Sequence, residues 1–316
     1  MRYHSTDTTL IVRGAFRACS TGTGGGIRNV TTLLNHTVTN PSGTADPAYT
    51  IECVARRSGL YPPSVFGLLT AVPMVHLCII RYDNIIVFIT AGITHPDIGR
   101  DNEAGPVRTD NSPGTINIIC CVEEGMSDQG LLDAIISVTE AKALALAGLG
   151  HEFAGTVTDA VIIASEGEGK LQYTGCATSL GLKIHKAVLF GVPKALEMSS
   201  RKGTSDTHFE QVFFIYSTIS GNRWIEWSKG NCPYYPCHFK GQMCDFCFCP
   251  LYPCKDETLG EWTRSSQREG KVWNCAPCTL NHQPAVVRHL RANPQATLLE
   301  LKSFLKNQDI CRNKLT

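Results

Sequence analysis

No block of like charge stands out in this chain of 316 residues, where 29 basic side chains face 28 acidic ones for a formal net charge of +1. Such a balance gives nucleic acid or an anionic membrane no global electrostatic hold, and neither is an expected partner. Long apolar runs are also lacking. The longest, Val65 to Ile80, is broken by Pro73 and His76, and Met1 to Asp7 contains no apolar stretch of the kind a secretion signal needs. Neither a spanning helix nor export is expected, which leaves the cytoplasm as the expected compartment. Several catalytic signatures are missing as well. There is no His-Glu-x-x-His zinc-hydrolase motif and no Ser-His-Asp hydrolase signature. The glycine-rich Thr21-Gly-Thr-Gly-Gly-Gly26 lacks both the G-x-G-x-x-G spacing and the Lys-Ser/Thr of a nucleotide loop. It could hold a ligand by its backbone amides or be a plain tight loop.

Cysteine, by contrast, is plentiful: the chain has 15, and eight of them lie between Cys232 and Cys278. In a chain that is not exported these read as reduced thiols. Cys232-Pro-Tyr-Tyr-Pro-Cys237 and Cys249-Pro-Leu-Tyr-Pro-Cys254 repeat one C-P-x-Y-P-C box, and two Cys-x2-Cys pairs, Cys244/Cys247 and Cys275/Cys278, complete the set. Eight thiols of this spacing suit two tetrahedral sites, so about two zinc ions are expected, in a structural role because four thiolates leave no open coordination position. An iron–sulfur cluster is the alternative metal, although the spacing is not that of the usual ferredoxin run.

The composition changes near the polar segment Ser199 to Asp206, which predicts a division into residues 1–204 and 205–316. Residues 1–228 carry 17 basic and 21 acidic side chains, and residues 229–316 carry 12 and 7. The first part reads as mixed α and β. Apolar β-branched runs at Leu10 to Val12, Ile85 to Ile89, Ile116 to Val122 and Ala160 to Ala164 predict strands, and His76 to Arg81 with Ile85 to Ile89 predicts a hairpin through Asp83-Asn84. Helices are predicted from Asp46-Pro47 to Gly59, from a Ser127 cap to Gly148, from Thr178 or Ser179 toward Met198, and across Ile27 to Leu34. The fold class that follows is α/β (mixed α+β), a layered sheet with packed helices, plus a small cysteine-rich metal-binding C-terminal domain. The second part opens on a hairpin, Val212 to Tyr216 with Trp224 to Trp227, and ends in two short helices, one started by Pro284 and the next capped by Asn293-Pro294.

Within the first part, a few polar residues stand where apolar ones belong. On the helix from Ser127 to Gly148, a step of about 100° per residue puts Asp133, Ser137 and Glu140 on one solvated stripe and Lys142 opposite, among Ile135, Val138, Ala145 and Leu146. A lysine there either snorkels to the rim or belongs to a site. Asn117 interrupts an apolar strand and is either a packing bracket or a ligand contact. Thr156, Thr158 and Asp159 stand at the entry to a strand, where they could orient a ligand or simply close a turn.

Seven segments in order, Gly24-Gly-Gly with Arg28-Asn29, Asn35-His36, Leu69-Thr70-Ala71-Val72, Thr90-Ala91-Gly92, Gly114-Thr-Ile-Asn117, Thr139-Glu-Ala-Lys142 and Gly155-Thr-Val-Thr-Asp159, make residues 8 to 198 resemble the adenosylcobinamide amidohydrolase family. The resemblance departs from the family pattern at Ala154 and around His95-Pro96. It implies an amidohydrolase that cleaves the amide between the corrin-ring propionyl side chain and aminopropanol, giving adenosylcobyric acid and 1-amino-2-propanol in corrinoid salvage by an archaeon. By family match it puts Asp159, Glu140 or His36 forward as base or nucleophile, and Lys142 or the glycine-loop amides as oxyanion stabiliser. Gly24, Gly25, Asn29, Asn35, Thr70, Thr90, Asn117, Thr156 and Thr158 become the substrate-binding set. The corrinoid would be substrate and not cofactor. The competing reading is a non-enzymatic corrinoid- or metal-binding adaptor, with the cysteine-rich part as a zinc hub for a protein or nucleic-acid partner.

Overall fold

The computed structural model describes residues 1–38, 46–93, 114–167 and 171–200, then 216–218, 225–226, 235–244, 246, 249, 251–264, 271–293 and 296–313. The chain divides into two compact units. The first is built on strands β1 (Arg2–Ser5), β2 (Thr9–Ser20), β3 (Gly26–Thr37), β4 (Val65–Thr70), β5 (Cys78–Tyr82), β6 (Ile85–Gly92), β7 (Thr115–Val122), β8 (Ala160–Glu166), β9 (Tyr216–Thr218) and β10 (Ile225–Glu226). With them go helices α1 (Pro47–Arg57), α2 (Asp128–Gly148) and α3 (Ser179–Ser200). The strands form one mixed sheet in the order β10-β9-β5-β6-β7-β8-β2-β3-β4, with β1 beside β2.

The predicted strands of the first part lie inside observed ones except His76 to Arg81. Its first residue ends a short helical turn, Met74–His76, which Leu77 caps, so that β5 starts only at Cys78. The caps act as their chemistry suggests. The Ser127 hydroxyl accepts from the Gly130 amide, the Asp46 carboxylate from Ala48, and the Thr178 hydroxyl from Gly181. Ile27 to Leu34 is not a helix but most of β3. Its apolar residues recur at helical spacing, yet Ile27, Val30, Thr31 and Thr32 are β-branched. Gly24 and Gly26 adopt φ of +66° and +104°, which folds the chain back onto β2 as a hairpin. The Asp133–Ser137–Glu140 stripe is only partly solvated: Ser137 is buried and donates to the Thr174 carbonyl, while Asp133 accepts from the Thr174 amide. The 171–178 segment covers that side of the helix. The hairpin assigned to the second part pairs with β5 through β9, so the first unit's sheet continues beyond residue 204.

Alternation of side chains along the strands separates two apolar layers. Ile80, Tyr82, Val87, Ile89, Ile116, Ile118 and Cys120 face α2 and α3. Their neighbours Phe88, Thr90 and Asn117 point the other way, toward Tyr3, whose ring meets Phe88 edge-on at 4.8 Å, and toward Asn35. Asn35 is on β3, four strands from β6 along the sheet, so the sheet doubles back on itself. The turn is made in β2, where an irregularity between Arg13 and Phe16 breaks the register. Phe16–Ser20 pair with β8, while Thr9–Arg13 carry β3 and β4 over β6 and β7. Helix α1 closes the outside of that half through Ile11, Leu34, Val54, Ala55, Leu60 and Val65. The first unit is thus helix, sheet, sheet, helix.

His4 on β1 has its imidazole pulled from 6.5 down to about 4, first by burial and then by Arg13. The folded chain keeps it neutral where the unfolded chain takes up a proton, so this contribution is complete above about pH 6.5 and is lost as pH falls toward 4. Replacing His4 by Gln is expected to flatten the fall in stability between about pH 6.5 and 4.5 in urea unfolding. A variant with the parent's slope would place that titration elsewhere.

The second unit contains a hairpin of β11 (Glu261–Arg264) and β12 (Lys271–Asn274), with helices α4 (Pro284–Ala292) and α5 (Leu298–Asn313). Pro284 opens α4 as expected. Helix α5 is capped by Thr297, not by Asn293-Pro294: the Glu300 amide donates to the Thr297 hydroxyl while the Glu300 carboxylate accepts from the Thr297 amide, a reciprocal capping box. Leu301 is buried and Leu298 and Leu305 are partly buried on the same face. No helix among the described residues is long and apolar enough to cross a membrane.

Candidate active site

The N-terminal end of β7 gathers the site. Three residues beyond the turn Gly155–Thr156, the Asp159 carboxylate receives four donors. Its Oδ1 accepts from the Ile116 amide at 2.8 Å and the Thr156 hydroxyl at 2.6 Å; its Oδ2 accepts from the Thr156 amide at 3.1 Å and from the Lys142 ammonium. Lys142 reaches it from α2 and is 8% exposed, Asp159 10%. Lys142 therefore does not snorkel. Its charge is desolvated and answered by one carboxylate, and that carboxylate has its lone pairs occupied.

On the other face of the sheet lies a neutral network. The Asn35 amide donates to Thr90 Oγ1 at 2.9 Å, and the Asn117 amide to Asn35 Oδ1 at 3.1 Å and the Leu69 carbonyl at 2.8 Å. Asn117 is thus a bracket between the two halves of the doubled sheet. Thr70, beside Leu69, is buried and accepts from the Val72 amide. Thr115 joins the two clusters, because its hydroxyl lies 3.3 Å from both Asn117 Oδ1 and the Thr158 carbonyl, and the Thr158 hydroxyl donates to Gly114. The glycine turn belongs to the same end: the Thr21 hydroxyl accepts from the Val161 amide, and Gly22 packs so closely on Leu68 that a side chain would strike it.

Seven of the residues singled out from sequence, Asn35, Thr90, Asn117, Lys142, Thr156, Thr158 and Asp159, are therefore continuous. Thr70 stands beside them, and Gly24 and Gly25 lie in the turn between β2 and β3, where the Gly24 carbonyl accepts from Arg28. Three others are elsewhere. Glu140 is exposed on the far side of α2, where Cys176 is 4.0 Å away. His36 follows Asn35 on β3 and so faces α1; its ring nitrogen pairs with the Thr9 hydroxyl at 2.7 Å, and burial, with Arg57 adding, lowers its pKa. Asn29 is exposed and bonds Arg17, which grips Asp128 at the start of α2, fourteen residues and about 21 Å of helix from Lys142. Two contributors were not predicted, Thr115 and Gly155. A Cβ on Gly155 would collide with both Asp159 Oδ2 and Lys142 Nζ. The hint was its place in the Gly155–Asp159 motif.

Residues 2–204 match the family model described as adenosylcobinamide amidohydrolase. The chain belongs to the adenosylcobinamide amidohydrolase family. An adenosylcobinamide amidohydrolase of Methanosarcina mazei is 38% identical over 208 residues, 63% of this chain and 98% of that one. Another, from Halobacterium salinarum, is 32% identical over 152 residues, 46% of this chain and 63% of that one. A probable cobalt-factor III C(17)-methyltransferase of Methanothermobacter thermautotrophicus is 48% identical over 58 residues, 18% of this chain and 15% of that one. Residues 223–305 match a second model, a cysteine-rich small domain.

Of the eight cysteines read as ligands, Cys237, Cys244, Cys249, Cys254, Cys275 and Cys278 are among the described residues, and Cys232 and Cys247 lie outside them. Among the described residues no three His, Cys, Asp or Glu side chains stand at metal-holding positions. Their chemistry is still that of soft thiolate donors, with the Gln242 amide donating to Cys237 and Cys244, each at 3.2 Å.

Proposed function

We propose that this chain hydrolyses the amide of adenosylcobinamide, releasing adenosylcobyric acid and 1-amino-2-propanol, and so serves corrinoid salvage in the cytoplasm of an archaeon. Family membership sets the reaction class, and the observation that carries the placement is the desolvated Lys142–Asp159 pair joined through Thr115 to the Asn35–Thr90–Asn117 network. Lys142 holds the negative charge that develops on the carbonyl oxygen when water attacks. Asp159 positions the ammonium. The Thr156 hydroxyl donates a hydrogen bond to Asp159 and keeps lone pairs with which to orient the attacking water, whose proton is relayed through Thr156 to the Asp159 carboxylate and from there to the leaving amine nitrogen. Thr158 with the Gly24–Gly25 turn offers the hydroxyl- and amide-lined edge that a large neutral ligand needs, and the buried Asn117, Asn35, Thr90 and Thr70 brace it from behind.

Glu140, His36 and Asn29 have no part in the chemistry on this reading, since each faces away from the pair. Residues 1–204 carry the hydrolytic centre, every member of which precedes residue 160, and the chain beyond β10 forms a cysteine-rich domain holding about two structural zinc ions. Incubating the full chain with adenosylcobinamide and following both products by chromatography tests the reading. Cobyric acid and aminopropanol in equal amounts are expected; recovery of intact cobinamide would overturn it.

A further inference from the structure

Helix α2 meets solvent along a ridge that carries almost no charge. Leu132, Ile136, Glu140 and Leu144 follow one another at four-residue steps, and the three apolar members are between 52% and 56% exposed. The other charges of the helix are occupied or hidden. Asp128 is gripped by Arg17, Asp133 accepts from the Thr174 amide, and Lys142 lies on the buried face. Glu140 alone faces out, and no cation pairs with it among the described residues. Helix α3 repeats the pattern with the sign reversed. Leu182 and Leu189 are exposed on either side of Lys186, whose ammonium has no carboxylate partner among the described residues, while Lys183 and Lys194 are taken by Asp83 and Glu197. The inner faces of both helices are buried in one core, so the two ridges are held side by side.

We propose that this helical face is where two copies of the chain join, α2 of each lying on α3 of the other about a two-fold axis. The charges identify the occupant. A two-fold axis sets one surface against itself, so a face answers itself only if it carries both signs; here Glu140 of each copy meets Lys186 of the other, twice over. Ridges at four-residue spacing also interdigitate with their own kind, in the commonest class of helix packing. The footprint is sufficient. Helices of 21 and 22 residues are about 30 Å long and, side by side, about 20 Å wide, which gives about 600 Å² per copy, the lower end of what a stable dimer buries. The inference does not rest on the hydrolytic reading, although the interface backs the helix that delivers Lys142.

Sedimentation velocity of the full chain, kept reduced and at tens of micromolar, reads the state directly. A dimer of the 34.5 kDa chain is expected. Ile136→Asp sets an unpaired charge on the ridge and should yield monomer, while the circular dichroism and the urea midpoint stay parental because this side chain faces solvent. The charges then test the arrangement. Glu140→Lys and Lys186→Glu should each raise the dissociation constant about tenfold or more by opposing like charges, and the double variant should return to within about threefold of the parent. A monomeric parent overturns the proposal, whatever else then covers the face. So does a dimer that Ile136→Asp leaves intact, because its interface lies elsewhere. Dimerisation weakened in both single variants and not regained in the double refutes the pairing of α2 with α3.

Discussion

Replacing Lys142 by Met is expected to lower turnover of adenosylcobinamide by about 100-fold or more, the scale on which loss of a preorganised oxyanion stabiliser is felt. Methionine nearly preserves the volume of the side chain and removes its charge. It also leaves Asp159 buried without its cation, so a stability loss of about 3–5 kcal/mol belongs with the kinetic effect and should show as a lower urea midpoint. The Ile116 and Thr156 bonds to Asp159 do not involve Lys142 and keep the turn in place. Asp133 supplies the contrast. Its carboxylate accepts the Thr174 amide at 2.6 Å, and Asn retains an acceptor oxygen, so Asp133→Asn should stay near parental activity. A fully active, folded Lys142→Met protein would show that the ion pair only braces the fold.

Gly155→Ala should be nearly as damaging to catalysis although it adds one methyl group. A Cβ at this position meets Asp159 Oδ2 and the end of Lys142, so either the carboxylate or the ammonium must leave its place. Both are held on several sides. The carboxylate has two backbone amides on it, and the ammonium arrives from a helix packed on the sheet. The expected cost is about 1–3 kcal/mol of stability, as for other overpacked sites, together with a turnover loss of about 100-fold from a displaced charge. Val157→Ala, two residues on and 83% exposed, is the matched control and should change neither quantity appreciably. Parental kinetics in Gly155→Ala would mean that the pair tolerates displacement and that its geometry is not what the reaction depends on.

Most of the first unit's elements could be read from local pattern. Ile85 to Ile89, Ile116 to Val122 and Ala160 to Ala164 are short β-branched runs bounded by turns, and such runs form strands when helices cover them. Ile27 to Leu34 misled because apolar residues at spacings of three and four serve a helix and an irregularly covered strand equally well; the decision was made by β2, a partner the segment cannot advertise. Lys142 was legible for the opposite reason. A charge inside an apolar stripe conflicts with its surroundings whatever the tertiary fold, and the conflict calls for a partner, which the structure supplies in Asp159. The neutral part of the site was legible only as separate oddities. Asn117 could be a bracket or a contact until the doubling of the sheet placed Asn35 opposite it, and the only local hint of that bend is Gly14 inside the strand. His36 and Asn35 show the limit of a motif: adjacent in the chain, they end on opposite faces of β3.

The bend in β2 also has a bearing on how the chain acquires its structure. The hydrogen bonds of Asn35 to Thr90 and of Asn117 to Asn35 span 55 and 82 residues, and neither can form until the outer half of the β2–β3 hairpin has swung across β6 and β7. Loops of that size are entropically costly to close, so local pairings such as β5 with β6 precede them on any direct route. Until the swing is complete, the amide groups of Asn35 and Asn117 remain in water. Closure therefore exchanges solvent for protein partners in one step, late in folding, and the amide edge of the site exists only in chains that have finished it.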